Sequence, residues 1–145
     1  MSVKNADAVI RALKRVPIDL RGNIGKALAV SVVELDAHAK QQIQGGSRSG
    51  RTYRRRSVTH QASAPGEYPK TDTGQLVSSL YFRVAANKLS AFFGTKLDYG
   101  KYLEFGTSRM KARPWLRPTL KAKEASIVAR LREAVIETLR RAGRG

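Results

Sequence analysis

The sequence predicts an α+β fold in which two long helices and a short one pack on a small antiparallel sheet, with a long basic loop. Apolar residues recur at three or four positions near both ends of the chain, as in amphipathic helices. Two short runs of aromatic and branched residues in the second half are typical of strands, and a Gly, Ser and Arg-rich stretch precedes them. At 145 residues with 41% hydrophobic residues, one domain over 1–145 is expected.

Helical structure is predicted over 6–44, divided at Pro17. Proline disfavours helical geometry at the residue before it, so a short helix over Ala6–Val16 should end there. A second helix should follow directly and run to about Gln44. Its apolar stripe consists of Leu20, Ile24, Leu28, Val32, Leu35, Ala39 and Ile43.

A flexible Arg and Gly-rich loop is predicted over 45–74, beginning after Gly45-Gly46 and free of secondary structure from Ser47 to Thr73. Five arginines crowd nine positions around Tyr53 and repel each other unless an anion neutralises them. They are Arg48, Arg51, Arg54, Arg55 and Arg56.

A β-hairpin and short helices are predicted over 75–106. The expected elements are a short helix through Gln75, Leu76 and Val77, strands over Leu80–Ala86 and Ala91–Thr95 with a turn at Asn87–Ser90, and a helix over Asp98–Phe105. Asp72 or Thr73 should cap the first helix. Gly106, in a left-handed conformation, should close the last one.

A connector over 107–117 and a final helix over 118–142 complete the predicted order. Pro118 suits the first turn of a helix, and Gly143 should lie just past its end. The buried stripe is expected to comprise Leu120, Ile127, Leu131, Val135 and either Thr138 or Leu139.

The charge balance indicates an anionic partner. Lys and Arg number 28 against 11 Asp and Glu, a net charge of +17, which suits either nucleic acid or an acidic protein surface. The chain contains no cysteine, so disulfides, thiol nucleophiles and Cys-based zinc sites are excluded. Neither a signal peptide nor an apolar run of membrane-spanning length is recognisable, and we expect the chain to be made in, and remain in, a cytoplasm.

Patterns that would indicate an enzyme are weak. The sequence GGSRSGRT over 45–52 superficially matches a phosphate-binding loop, but Arg51 replaces the required lysine and the stretch follows a helix instead of a strand. His60, Ser63 and Asp72 would supply a hydrolytic triad, yet no nucleophile elbow surrounds the serine. We therefore expect no catalytic residues.

A metal or cofactor site is not expected either. His38 and His60 lack the spacing and partners of a zinc site, and His38 should lie on a helix flank. The carboxylates that a metal-dependent nuclease would need are Asp72, Asp98 and Glu104. A simpler interpretation pairs Glu104 with Arg113 or Arg117 and makes Asp72 a helix cap.

The segment Tyr99–Pro118, YGKYLEFGTSRMKARPWLRP, is the most unusual in the chain. It concentrates aromatic residues before a glycine turn and places Trp115 between two prolines. One interpretation makes the segment a rigid connector that fills the core with Trp115. The other makes its aromatic and Arg residues an interface anchor, since Trp, Tyr and Arg dominate binding hot spots, and the two can hold for different residues. The candidate residues are Tyr99, Tyr102, Glu104, Phe105, Gly106, Arg113, Pro114, Trp115, Arg117 and Pro118.

This segment resembles the lambdoid-type phage tail-component family, whose members carry Tyr-x-x-Tyr-x-Glu-Phe-Gly-Thr followed by Ala-Arg-Pro-aromatic-Leu-Arg-Pro. The matching residues are Tyr99, Tyr102, Glu104, Phe105, Gly106, Thr107 and Ala112 to Pro118. A second similar stretch comprises Ser49-Gly50-Arg51, Tyr53-Arg54, His60 to Glu67 and Asp72 to Leu76. Trp115 stands where the family has Phe, and Arg55-Arg56 add charge to the loop.

The resemblance implies a neck or tail-completion protein of siphovirus-type phages, without catalysis or cofactors. Its partners would be copies of itself in a ring, expected to be six-fold, and the adjacent head-connector and tail-tube or tail-terminator proteins. Six copies would carry about four times the charge of the DNA enclosed by a ring about 40 Å thick, at one phosphate per 1.7 Å. We therefore expect the basic loop to be disordered in the free subunit and ordered against neighbouring proteins, with only non-specific DNA contact and no membrane.

The alternative is a non-enzymatic, basic DNA-binding protein. The arginine-rich loop and the C-terminal Arg140, Arg141 and Arg144 would then contact phosphates. Neither a helix-turn-helix nor a zinc-finger pattern is recognisable in the sequence.

Overall fold

A computed structural model describes residues 6–46 and 48–144, and its architecture is α+β as predicted. In chain order the elements are α1 (Ala6–Gly45), β1 (Thr52–Arg55), β2 (Val58–Gln61), α2 (Gln75–Ser79), β3 (Leu80–Val84), β4 (Ala91–Thr95), α3 (Asp98–Phe105) and α4 (Leu116–Gly143). The strands form two separate two-stranded sheets, β1 with β2 and β3 with β4. Within the described ranges, no helix is both long and apolar enough to cross a membrane.

The chain divides into two compact units. One comprises the chain up to Val32 together with 83–92 and 124–145, and the other comprises Val33–Phe82 and Phe93–Lys123. Ser47, where the structureless loop was expected to begin, lies outside the described residues. The single domain inferred from chain length stays a prediction.

In the first unit, the long helices α1 and α4 pack together through buried polar groups. Asn23 Nδ2 donates to Thr138 Oγ1 at 2.8 Å, and the guanidinium of Arg130 donates to Ser31 Oγ at 2.8 Å. The buried hydroxyls of Ser31 and Thr138 also donate to carbonyls four residues earlier in their own helices. Each of these two buried hydroxyls therefore both donates and accepts a hydrogen bond, which removes the cost of burying it.

α1 is one continuous helix, so the predicted break at Pro17 is wrong. Proline cannot donate to the carbonyl four residues earlier, a loss that costs about 3 kcal/mol in a helix interior. Pro17 is exposed, so water can bond the freed carbonyl, and the long helix around it continues.

The core of the second unit combines the C-terminal half of α1 with α2, β3 and the start of α4. Its buried apolar residues are Ala39, Ile43, Leu76, Leu80 and Trp115. Tyr68, Val77, Phe93, Leu103 and Leu116 pack against them. Val32, Leu35, Ala39 and Ile43, the second half of the predicted α1 stripe, are buried.

The segment expected to be a structureless loop contains a β-hairpin, so that expectation is wrong over 52–61. β1 and β2 pair antiparallel, with Tyr53 opposite His60 and Arg55 opposite Val58. The turn therefore has two residues, Arg56 and Ser57. Arg56 has a φ of 56°, the left-handed conformation that such tight hairpin turns require.

Two predicted helix starts are also wrong. Neither Asp72 nor Thr73 caps α2, which begins after Gly74 with no side-chain cap; Thr71 Oγ1 instead accepts the Gly74 N–H at 2.8 Å. α4 begins at Leu116, two residues before Pro118, and includes Gly143. The first predicted strand is shorter than expected and ends at Val84.

The stripe predicted for α4 is partly wrong. Leu120, expected in the stripe, is 43% exposed, and Thr119 is buried beside it. Of the two alternatives at the end of the stripe, Thr138 is buried and Leu139 is 55% exposed. Each buried threonine donates its hydroxyl to the carbonyl four residues earlier, which removes the cost of burying it. The bounds of α3 agree with the sequence prediction, but Gly106 combines a φ of 75° with an extended ψ of 179° in place of the left-handed helical conformation.

Candidate functional site

Glu104 joins α3 to α4. It is only 5% exposed, and its Oε2 accepts the backbone N–H groups of Trp115 and Leu116, each at 2.8 Å. Its Oε1 accepts the N–H of Arg117 at 3.0 Å. The first amides of α4 are thus bonded by one carboxylate, whose charge also complements the positive end of the helix dipole.

The predicted pairing of Glu104 with Arg117 is present but long. The Arg117 Nε lies 3.9 Å from Glu104 Oε1, and the Arg117 side chain is 73% exposed. An exposed guanidinium at this distance contributes little. The principal partner of Glu104 is the backbone at the start of α4.

Trp115 is buried in the core of the second unit, as the rigid-connector interpretation expects and the interface interpretation of this residue does not. Its indole Nε1–H donates to the Gly100 carbonyl at 3.0 Å, and the Phe93 ring meets it edge-on with centroids 6.0 Å apart. A side chain at Gly100 would overlap the Thr95 methyl group, so α3 can approach this closely only with glycine there.

Arg113 and Ala112 connect the two stretches that carry the family resemblance. The Arg113 side-chain Nε donates to the Ser63 carbonyl at 3.1 Å, and the Gly66 N–H donates to the Ala112 carbonyl at 2.9 Å. The Arg113 backbone N–H also bonds the Leu103 carbonyl at 2.7 Å. We call residues 98–118 the anchor segment.

One ridge of α3 presents exposed aromatic residues. Tyr99, Tyr102 and Phe105 follow each other at three-residue spacing, and Phe105 is 66% exposed. The Arg117 guanidinium lies 5.0 Å from the Phe105 ring centroid, and the Lys101 Nζ lies 5.2 Å from that of Tyr102. We call Tyr99, Tyr102 and Phe105 the aromatic ridge.

The arginines of the basic hairpin, here 48–61, are all exposed. Of the five, Arg55 alone forms an ion pair within the described part of the chain, to Asp72 at 2.6 Å. His60 Nδ1 lies 3.3 Å from the same carboxylate, and the His60 ring stacks on Tyr53 with centroids 5.6 Å apart. Asp72, expected to cap a helix, therefore joins the hairpin instead.

A cleft of about 700 Å³ lies beside this hairpin. Its charged lining residues are Arg48, Arg55, Lys70, Arg113 and Asp72, with His60 among them. Lys70 Nζ donates to the Gln44 carbonyl near the end of α1. Burial and, secondarily, the charge of Arg48 lower the pKa of Lys70. We call this the cationic cleft.

The structure brings together only part of the hypothetical triad. His60 contacts Asp72, but the buried Ser63 Oγ accepts the Lys70 backbone N–H at 3.3 Å and has no hydrogen bond to His60 in the described chain. Across the described residues, no three His, Asp or Glu side chains converge on a metal position, so Asp72, Asp98 and Glu104 do not form the cluster that a nuclease would need. His38 lies half-buried on α1.

Two features of this region were not predicted from the sequence. Lys70 follows Pro69 in a segment without periodicity, so no pattern indicated that it lines a cleft. Glu67 accepts the Ala64 N–H at 2.7 Å and the Ser49 hydroxyl, and these bonds lower its pKa. Glu67 thereby fixes the chain entering the hairpin to the chain leaving it.

Comparison with models of known protein families, with curated protein sequences and with solved structures finds no match to this chain.

Proposed function

We propose that this protein is a structural component of the head–tail junction or tail of a long-tailed phage, a neck or tail-completion subunit that acts in virion assembly. The observation that carries the proposal is the joining of its two family-like stretches, through Arg113 to Ser63 and Ala112 to Gly66. Residues distant in sequence, and similar to one family, thus form a single structural unit.

The contrast between buried and exposed residues within the anchor segment supports an assembly role. Glu104 and Trp115 are buried and hold α3 against α4, while the aromatic ridge remains exposed. Exposed aromatic residues on a rigid helix are suited to docking another protein, because little side-chain entropy is lost on binding. We assign the ridge to contacts within a ring of identical subunits, and the basic hairpin to neighbouring connector, tail-tube or terminator proteins.

Disruption of the gene in the phage that carries it tests this proposal. DNA-filled heads and separate tails should accumulate, and wild-type protein supplied in the host should restore joined particles. Phe105→Ser should restore them poorly. Tyr81→Ser, which removes an aromatic residue outside the ridge that is 40% exposed against 66% for Phe105, is the control. Normal yields of joined, infectious particles without the protein would refute the proposal.

A second candidate, non-specific or regulatory DNA binding, is favoured by the exposed arginines of the basic hairpin. An electrophoretic shift assay at physiological salt distinguishes the two. The assembly role predicts weak binding that does not depend on DNA sequence. Tight, sequence-selective binding by the isolated protein would favour the DNA-binding function.

A further inference from the structure

The cationic cleft contains more positive than negative charge. Four basic side chains line it, Arg48, Arg55, Lys70 and Arg113, against the single carboxylate of Asp72. That carboxylate is already shared between Arg55 and His60. Three positive charges in the cleft therefore have no carboxylate within it.

Two of the remaining cations form their hydrogen bonds with neutral carbonyl groups, and within the described chain only Arg113 also interacts with a carboxylate outside the cleft, that of Glu67. Lys70 donates to the Gln44 carbonyl, and the Arg113 Nε donates to the Ser63 carbonyl. Arg113 nevertheless lines the cleft. An anion entering here would relieve the mutual repulsion of Arg48 and Lys70 and form charge-assisted hydrogen bonds.

We propose that the cationic cleft binds an acidic peptide segment, whose Asp or Glu carboxylates pair with Arg48, Lys70 and Arg113. Gln44, Thr71 and Gln75 also line the cleft and offer amide and hydroxyl groups for the peptide backbone. That the acidic peptide belongs to a neighbouring virion protein rests on the proposed function. Recognition of an acidic peptide by the cleft does not.

The shape of the site favours peptide over duplex DNA. A volume of about 700 Å³ is within the range of pockets that enclose small molecules or a few side chains. Duplex DNA instead presents a convex backbone with one charge per 1.7 Å, which suits a long basic surface better than a cleft. Arg51 and Arg54 are exposed and do not line the cleft, so they provide such a surface outside it.

Fluorescence anisotropy with a labelled octa-glutamate peptide at physiological salt tests the inference on the full chain. The key variant is R48Q/K70Q, which removes two cations from the cleft. The control is R51Q/R54Q, which removes the same net charge from outside it. We expect the cleft variant to bind about tenfold or more weakly, and the control to change by less than about threefold, because distant charges are screened.

Three results would overturn the inference: no saturable binding by the wild type, equal loss in both double variants, or a duplex 20-mer competing for the cleft more strongly than the peptide. Amide NMR of the wild type provides a readout independent of variant stability. The peptide should shift the amides of Thr59, Thr71 and Gln75, and shifts confined to α4 would contradict the site. These outcomes are separate from the joining of heads to tails, so either proposal can fail alone.

Discussion

The anchor segment and the basic hairpin use their polar groups in opposite ways. In the anchor segment a buried carboxylate, an indole N–H and a guanidinium bond the backbone of the same chain. In the hairpin, five arginines face solvent and only Arg55 has a carboxylate partner in the described chain. The comparison indicates that the anchor segment determines stability, whereas the hairpin is available to other molecules.

Trp115→Ala should have the largest effect on stability. It leaves a cavity in the core of the second unit and should lower the free energy of unfolding by about 3–5 kcal/mol. Trp115→Phe keeps most of the ring but loses the bond to the Gly100 carbonyl, so about 1 kcal/mol is expected. Urea unfolding measures both. Tyr102→Ala on the exposed aromatic ridge is the control. An equal loss of unfolding free energy in this variant would contradict the idea that the buried residues, and not the ridge, stabilise the fold.

Glu104→Gln should have the second largest effect and lower the free energy of unfolding by about 2–3 kcal/mol. The amide keeps one acceptor oxygen but no charge, and the first N–H groups of α4 lose part of their cap. Glu133→Gln, at an exposed carboxylate paired with Arg140, should change stability by less than about 0.5 kcal/mol. Similar losses in the two variants would show that burial of Glu104 has no special effect.

The pH dependence of stability tests the contribution of Glu67, which lies between the basic hairpin and the anchor segment in the sequence. Its pKa in the folded chain is lowered by the Ser49 and Ala64 bonds from an ordinary value of 4.5. The stabilisation is therefore complete above pH 4.5 and disappears as pH falls through the lower folded-state pKa. The difference in urea midpoint between wild type and Glu67→Gln should be constant from pH 7 to 6 and shrink towards pH 3. A difference that grows on acidification would have the wrong sign.

Arg54→Gln should have the smallest effect. The side chain is exposed on β1, so the free energy of unfolding should change by less than about 0.5 kcal/mol. Thermal unfolding followed by circular dichroism is sufficient to measure it. A loss above about 1 kcal/mol would mean that the hairpin arginines contribute to the fold and would break the comparison with the anchor segment.

Elements with strong local signals were predictable. α3 has the predicted bounds because its aromatic residues end at a glycine with positive φ. The pattern of an aromatic residue fixed between two prolines singled out Trp115, although only the structure decides that it is buried. These features depend on residues close together in sequence.

The wrong predictions depended on contacts that sequence patterns do not encode. The hairpin turn at Arg56-Ser57 lacks the Asn-Gly or Gly signal that usually marks it. α4 begins before Pro118 because Glu104, from another helix, bonds its first amides. Thr119 is buried because Tyr68, 51 residues earlier, lies within hydrogen-bond distance of its hydroxyl. The cationic cleft likewise assembles from the end of α1, the hairpin and the anchor segment.

Electron microscopy of assembled phage particles, with this protein marked by a gold-conjugated antibody, tests the central proposal most directly. A structural junction or tail component should be labelled in every intact particle, at the head–tail junction or on the tail. Antibody against the major capsid protein provides the positional control. Particles that carry no label, while the same antibody detects the protein in the infected cells, would contradict the proposal.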